Sequence, residues 1–343
     1  MVVDQVLVTG ISGFIAKRVA LDLLNVGYAV RGTVRKLAGA EHVLATLAAA
    51  GADTSRLSFV EADLLSDDGW SDSVKDCRYV QHIASPFPMQ VPKDREALVP
   101  AARGGALRVL EAALKAGVER IVLTSSTVSM MYRANRPAEF TFSEDDWSDP
   151  EWSAASAYIV SKVRAEKAAW EFMKAQGAEK KLAVVNPGFV LGPSLDKDIG
   201  TSIQVLEFFL KRVYPAIPQT AFPTVDIRDL AQLHVAAMEL PAAGGRRLLG
   251  SADTLSMPQM AEILRSGLGH AGRRVPKIVL PNFVIRLMAI FDPAMKNLIA
   301  DIGVRPVADA AYVTALTGVT FRPAREAVLA AGESLVKLGI VPA

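Results

Sequence analysis

Val6-Leu7-Val8-Thr9-Gly10-Ile11-Ser12-Gly13-Phe14-Ile15-Ala16 decides how the rest of the chain is read. Val6 to Val8 form a short apolar run with the character of a buried strand, and a helical pattern begins at Phe14. Two glycines, three positions apart, lie between them. A strand that turns sharply into a helix aims free backbone N–H groups and the positive end of the helix dipole at one point. Such a point suits a pyrophosphate. Gly10 permits the sharp turn, Gly13 the close approach of phosphates, and Ala16 the close packing of helix on strand. The spacing is Gly-x-x-Gly-x-x-Ala, which an ordinary strand-to-helix connection also tolerates, so the reading needs support from elsewhere.

Outward from that turn, strand and helix patterns alternate. Strands are expected at 29–34, 56–60, 79–84, 120–124 and 182–186, with helices at 37–50, 94–116 and 155–176. The strands are near-continuous apolar runs, as strands covered on both faces must be. The expected architecture is therefore α/β, a doubly wound parallel sheet of the Rossmann type whose ligands sit at the carboxyl ends of the strands. After Pro187, Gly188, Gly192, Pro193, Pro215, Pro218 and Pro223 break the chain into shorter pieces. A dinucleotide-binding domain is expected over 1–187 and a smaller substrate-binding domain over 188–343. A helix capped by Asp226 within 224–241 is expected to return to the first domain. A final helix should open at Pro323 and stop at Gly339.

Composition narrows the function. With 51% hydrophobic and 22% charged residues, the 343-residue chain has ample material for a core and about two domains. A net charge of +2 and the lack of a long basic run disfavour nucleic-acid binding. Cys77 is the only cysteine, and His42, His82, His234 and His270 lie far apart, so neither a disulfide nor a metal site is expected. The apolar stretch from Ile278 to Phe291 is interrupted by Pro281, Asn282 and Arg286. It is shorter than the roughly 20 residues that span a bilayer, and is expected as a buried or pocket-lining helix. No signal segment is visible. A cytoplasmic monomer or homodimer, with no membrane, acting on a small molecule, is expected.

An NAD site places an acidic side chain about 20 residues past the glycines. Here no acid occurs between Asp22 and Glu41, while Arg31, Arg35 and Lys36 lie at the second strand. A guanidinium there pairs with a 2′-phosphate, which favours NADP(H), and Arg35 is the one that reaches the strand's end. Asp63, after the third strand, suits the adenine amino group or a helix cap equally well.

Tyr158 and Lys162 stand four apart on a helical pattern and are therefore neighbours. An adjacent ammonium stabilises phenolate, so such a tyrosine exchanges a proton with a carbonyl oxygen while a nicotinamide exchanges hydride. Ser126, at the end of the fifth strand, is placed to donate to the same oxygen, with Ser125 and Thr127 as rivals. No Gly-x-Ser-x-Gly elbow is present, so a serine hydrolase is disfavoured.

These motifs, with Asn186-Pro187-Gly188-Phe189-Val190-Leu191-Gly192-Pro193 and His82-Ile83-Ala84-Ser85-Pro86, resemble the extended short-chain dehydrogenase/reductases. They are most similar to the dihydroflavonol reductase-like branch, which includes microbial NADPH-dependent aldehyde and ketone reductases. The resemblance implies Ser126, Tyr158 and Lys162 as the catalytic group and prefers Ser126 over Ser125. It places Ile11, Ser12, Gly13, Phe14 and Ile15 at the pyrophosphate, with Gly10 in the same cofactor-binding turn, Arg35 at the 2′-phosphate, and Asp63 and Leu64 at the adenine. Ala84, Ser85, Thr124, Tyr158 and Lys162 would contact the dinucleotide, and Pro187 and Val190 its nicotinamide amide. Phe87, Met89, Met131 and Phe189 would line the substrate pocket. Met131 stands where plant dihydroflavonol reductases carry an Asn or Asp that reads ring hydroxyls, which implies a more apolar pocket. Ser156-Ala157 stands where cinnamoyl-CoA reductases carry Asn-Trp. The activity implied is NADPH-dependent reduction of an aldehyde or ketone. A nucleotide-sugar epimerase or dehydratase and a non-catalytic NADP-sensing regulator are the alternatives on the same scaffold.

Overall fold

The computed structural model describes residues 3–85, 92, 94–290 and 298–342. Strands β1 (Gln5–Val8), β2 (Ala29–Val34), β3 (Leu57–Glu61), β4 (Tyr79–His82), β5 (Arg120–Thr124), β7 (Leu182–Pro187) and β11 (Arg247–Gly250) build one sheet. Its order is β11-β7-β5-β4-β1-β2-β3, and every pairing is parallel. Order reverses between β1 and β4, which opens a crevice at the carboxyl ends of those strands.

Both faces of the inner strands β4, β5, β7 and most of β1 are dry, which is why these strands carry apolar residues at successive positions, whereas the edge strand β3 leaves Ser58 and Glu61 exposed. Val6 and Val8 face a core made with Val19 and Leu23 of α1 (Phe14–Asn25) and Leu230 and Leu233 of α7 (Ile227–Glu239). Leu7 points the other way, into a core with Val109 and Leu110 of α4 (Val99–Lys115) and Ala169 and Met173 of α5 (Ala157–Ala175).

Asp226 caps α7 by accepting from the Arg228 N–H at 2.8 Å, and α7 packs on α1, β4, β5 and β7. The return of the chain to the first sheet extends past 224–241, because β11 adds the outermost strand beside β7. The smaller unit holds β8 (Phe189–Leu191) parallel to β10 (Ala221–Asp226), which pairs antiparallel with β12 (Asp253–Ser256). Its core joins Leu206 of α6 (Thr201–Lys211), Leu264 of α8 (Met257–Gly267) and Leu335 of the last helix, Ala324–Lys337.

The segment from Ile278 corrects its expectation. It forms a two-residue strand, Ile278–Val279, and a short helix, Asn282–Met288, lying largely at the surface. Phe283 is 72% and Leu287 60% exposed, and among the described residues 278–290 only Ile285 and Ala289 are buried; Phe291 lies outside the described residues. A helix of two turns at the edge of a domain has one face to bury, so apolar residues all round leave several outside.

Candidate active site

The turn after β1 is built as its sequence requires. Gly10 has φ +61°, and a Cβ there would meet the Cβ of Ala84 at 2.9 Å. Ala84 cannot retreat easily, because its N–H and that of Ile83 both donate to Thr9 Oγ1 at 3.0 Å. The Gly10 N–H donates to Thr33 Oγ1 and the Ile11 N–H to the Thr33 carbonyl, which locks the turn against β2. The N–H groups of Ser12, Phe14 and Ile15 have no acceptor among the described residues. No side chain caps α1, and no acid lies in its first turn. These donors converge where an anion would sit.

At the end of β2 the two arginines part company. Arg31 donates to the carbonyls of Asp72, Ser73 and Lys75 and to Gln5 Oε1, closing the end of α3 (Trp70–Val74). Arg35 is exposed and has no partner among the described residues. Asp63 is half-buried, and its Oδ1 accepts from the Leu65 N–H at 2.9 Å, so it closes the turn after β3 and caps no helix among the described residues. Leu64 packs on Gly105 of α4.

Ser156 caps α5 through the Ile159 N–H, and the helix carries Tyr158 and Lys162 on one face. The Lys162 ammonium lies 5.9 Å from the Tyr158 ring centroid and donates to Ser85 Oγ at 3.3 Å. The Ser126 hydroxyl hydrogen-bonds the Tyr158 phenol. Burial raises the Tyr158 pKa above its ordinary value, and the Ser126 bond works against that rise. Burial pulls Lys162 down to about 8, opposed by the charge of Glu166.

Neighbouring hydroxyls are committed elsewhere. Ser125 donates to Glu166 Oε2, as do Ser129 at 2.6 Å and the Asn186 amide at 2.9 Å. Arg247 donates to Glu166 Oε1 at 2.6 Å and stacks on Trp147. This buried network backs α5 against β5 and β7 and leaves Ser126 as the serine facing Tyr158. Glu166 stands four positions after Lys162, the same spacing that links Lys162 to Tyr158, and is the functional neighbour that spacing could have revealed. Thr124 Oγ1 lies 3.3 Å from His234 Nε2 in the interior, an engagement that competes with its expected contact to a dinucleotide. His82 is fully interior, with Nδ1 2.9 Å from Thr9 Oγ1, and burial holds its pKa near 3.

A cleft of about 980 Å³ opens beside Ser126 and Tyr158. Met131 and Phe189 line it, with Phe189 stacked on Phe222 at 5.2 Å; Pro187 of β7 and Val190 of β8 are buried and are not among its lining residues. Phe87 and Met89 lie outside the described residues. Tyr132, Arg95, Ile299 and Asp301 also line the cleft and carried no signal in the sequence. No group of metal-ligating side chains and no membrane-spanning helix occurs among the described residues.

A parallel doubly wound sheet, a glycine turn with open amides and a Ser–Tyr–Lys group together define the extended short-chain dehydrogenase/reductase class. Comparison with known proteins agrees: residues 6–248 match the NAD dependent epimerase/dehydratase family, and the chain belongs to it. Cinnamoyl-CoA reductase 2 of Arabidopsis thaliana is 36% identical over 272 residues, covering 77% of this chain and 78% of its own length. The NADPH-dependent methylglyoxal reductase of Saccharomyces cerevisiae is 31% identical over 282 residues, with coverages of 76% and 81%. The crystal structure of the yeast methylglyoxal/isovaleraldehyde reductase complexed with NADPH superposes with a TM-score of 0.81 at 26% identity, over 98% of this chain and 99% of that one.

Proposed function

We propose that the protein is an NADPH-dependent reductase that converts an aldehyde or ketone to the alcohol. The observation that carries the reading is the hydrogen-bonded Ser126–Tyr158 pair beside the Lys162 ammonium, facing a largely apolar cleft. The named activities of its relatives, methylglyoxal and cinnamoyl-CoA reduction, support a carbonyl substrate.

The residues fit NADPH on two observations: the unpaired amides at the Gly10 turn and the unpartnered guanidinium of Arg35. Ser12, Gly13, Phe14 and Ile15 would hold the pyrophosphate and Arg35 the 2′-phosphate. Asp63 and Leu64 would flank the adenine, Ala84, Ser85 and Lys162 the ribose, and Pro187 and Val190 the amide. When bound, NADPH supplies the hydride that the carbonyl carbon accepts.

The protein's own groups manage the oxygen. Burial keeps the Tyr158 phenol protonated at neutral pH, so it holds a proton to donate to that oxygen. Transfer leaves a phenolate, which the Lys162 ammonium stabilises through charge. Ser126 donates to the same oxygen as negative charge develops there. Glu166 and Arg247 hold α5 in register with β5 and β7, which keeps these donors converged.

The test is NADPH consumption with aldehydes, diketones, aryl ketones and ketoesters, with NADH as control. Turnover that is faster with NADPH supports the reading. Tyr158→Phe should lower kcat about 100-fold or more while NADPH still binds. NAD that co-purifies, with no consumption of added NADPH, would replace this reading with the epimerase one. Tight NADPH binding without turnover of any carbonyl would replace it with a sensor.

A further inference from the structure

The cleft is not apolar throughout. Met131, where a hydroxyl-reading side chain was expected to be lost, does line it as an apolar residue. Next to Met131, however, Tyr132 donates its hydroxyl to Asp301 Oδ1 at 2.8 Å. Asp301 lines the same cleft as Ser126 and Tyr158, although it lies 169 positions along the chain from Tyr132. Its second carboxylate oxygen has no partner among the described residues and is not among the atoms sealed from solvent. Tyr132 also lies within electrostatic reach of Tyr158, so this carboxylate and the proton donor serve one ligand volume.

Resting on the reductase reading, we propose that the open oxygen of Asp301, held in place by Tyr132, is a specificity-determining acceptor that selects carbonyl substrates carrying a second, hydroxyl group. A half-buried carboxylate with one oxygen satisfied is costly to cover with an apolar substrate, because the remaining lone pairs lose water and gain nothing. A substrate hydroxyl restores the lost bond, so the penalty falls only on analogues that lack it.

The surrounding charges choose between donors. The Arg136 guanidinium lies 4.7 Å from the Tyr132 ring centroid and donates to the Ala300 carbonyl, and Arg95 lines the cleft while donating to the Pro150 and Trp152 carbonyls. A substrate carboxylate meets Asp301 itself, and the Arg136 charge that acts on Asp301 offsets part of its pull on a substrate ammonium. A neutral hydroxyl donates to the open oxygen without either conflict. Burial lifts the Asp301 pKa to about 6, against the Tyr132 bond and the Arg136 charge. It therefore remains an ionised acceptor at neutral pH.

The experiment compares kcat/KM for matched ketones and aldehydes with and without a hydroxyl, placed at successive positions from the carbonyl. At least one hydroxylated member should exceed its parent by about tenfold or more, mainly through KM. Asp301→Leu should abolish or invert that ratio, Asp301→Asn, which keeps an acceptor oxygen, should retain part of it, and Tyr132→Phe should weaken it. NADPH titration of each variant checks that it is folded. Ratios near one at every position in the wild type, or a ratio untouched in folded Asp301→Leu, overturn the proposal while leaving the reductase reading intact. Failure to turn over any carbonyl overturns both.

Discussion

Tyr158 and Lys162 are shifted in opposite directions by the same burial, and that opposition has a measurable consequence. Desolvation disfavours whichever form is charged, so the phenol keeps its proton more tightly and the ammonium releases it more easily, at about 8. The rate of carbonyl reduction should therefore hold through neutral pH and fall above about pH 8 as the Lys162 charge is lost, read as kcat/KM across a pH series. A profile flat to well above that value would show that the ammonium contributes nothing to the phenol. Arg35 offers a second test. It is exposed and unpartnered, so Arg35→Ala removes no internal contact. Its KM for NADPH should rise roughly 10- to 100-fold, the worth of a charge-assisted phosphate contact, with NADH affected little. Arg31→Ala should instead reduce stability, because its guanidinium closes three carbonyls at the end of α3.

At the scale of elements, the strand-to-helix turn and a buried clamp decide where the site forms. Gly10→Ala should cost about 1–3 kcal/mol and abolish NADPH binding, since it combines a left-handed backbone with a Cβ 2.9 Å from Ala84. Thermal unfolding and NADPH titration of the variant check the two effects separately. The clamp links α1 to the loop after β8. Lys17, 1% exposed, is paired with Asp196 at 2.5 Å, and Asp196 also meets His42 Nε2 at 3.1 Å and Thr46 Oγ1 at 3.2 Å. Asp196→Ala leaves the Lys17 ammonium buried without its nearest partner, and should cost about 3–5 kcal/mol in urea unfolding. Adding Lys17→Met should restore part of that loss, since the stranded charge is then removed as well.

Across the whole molecule, two interior histidines join distant segments: His82 ties β4 to the turn after β1 through Thr9, and His234 ties the sheet to the helix that returns to it. His234 of α7 donates from Nδ1 to the Gln81 Oε1 at 2.9 Å, and its carbonyl accepts from the Gln81 amide. Burial depresses both His82 and His234 to about 3 from 6.5. Below pH 6.5 the unfolded chain takes up protons that the native state refuses. Their contribution to stability is thus present above pH 6.5 and lost as pH falls toward 3. Unfolding free energy should decline over that interval by up to about 1.4 kcal/mol per pH unit for each histidine, as followed by denaturant titration. Stability constant between pH 7 and 5 would mean that the native state admits those protons.

The first sheet was legible because each strand is a short apolar run and each connection a helix of ordinary periodicity, so local pattern and buried position coincide. The glycine turn, Tyr158 and Lys162 were legible for a related reason: their geometry is set within one turn of helix or one tight bend. Choosing Ser126 over Ser125 from position alone was not possible, and it took the Glu166 network to occupy the neighbouring hydroxyl. The addition of β11 to the sheet and the surface placement of Phe283 and Leu287 also depended on how distant segments pack. Sequence alone determined the parallel α/β plan and singled out Tyr158 and Lys162 as the candidate proton-handling pair, because both follow from spacing along the chain. Only the tertiary structure decided what the cleft reads, because Tyr132 and Asp301 become one group solely when two remote segments fold against each other.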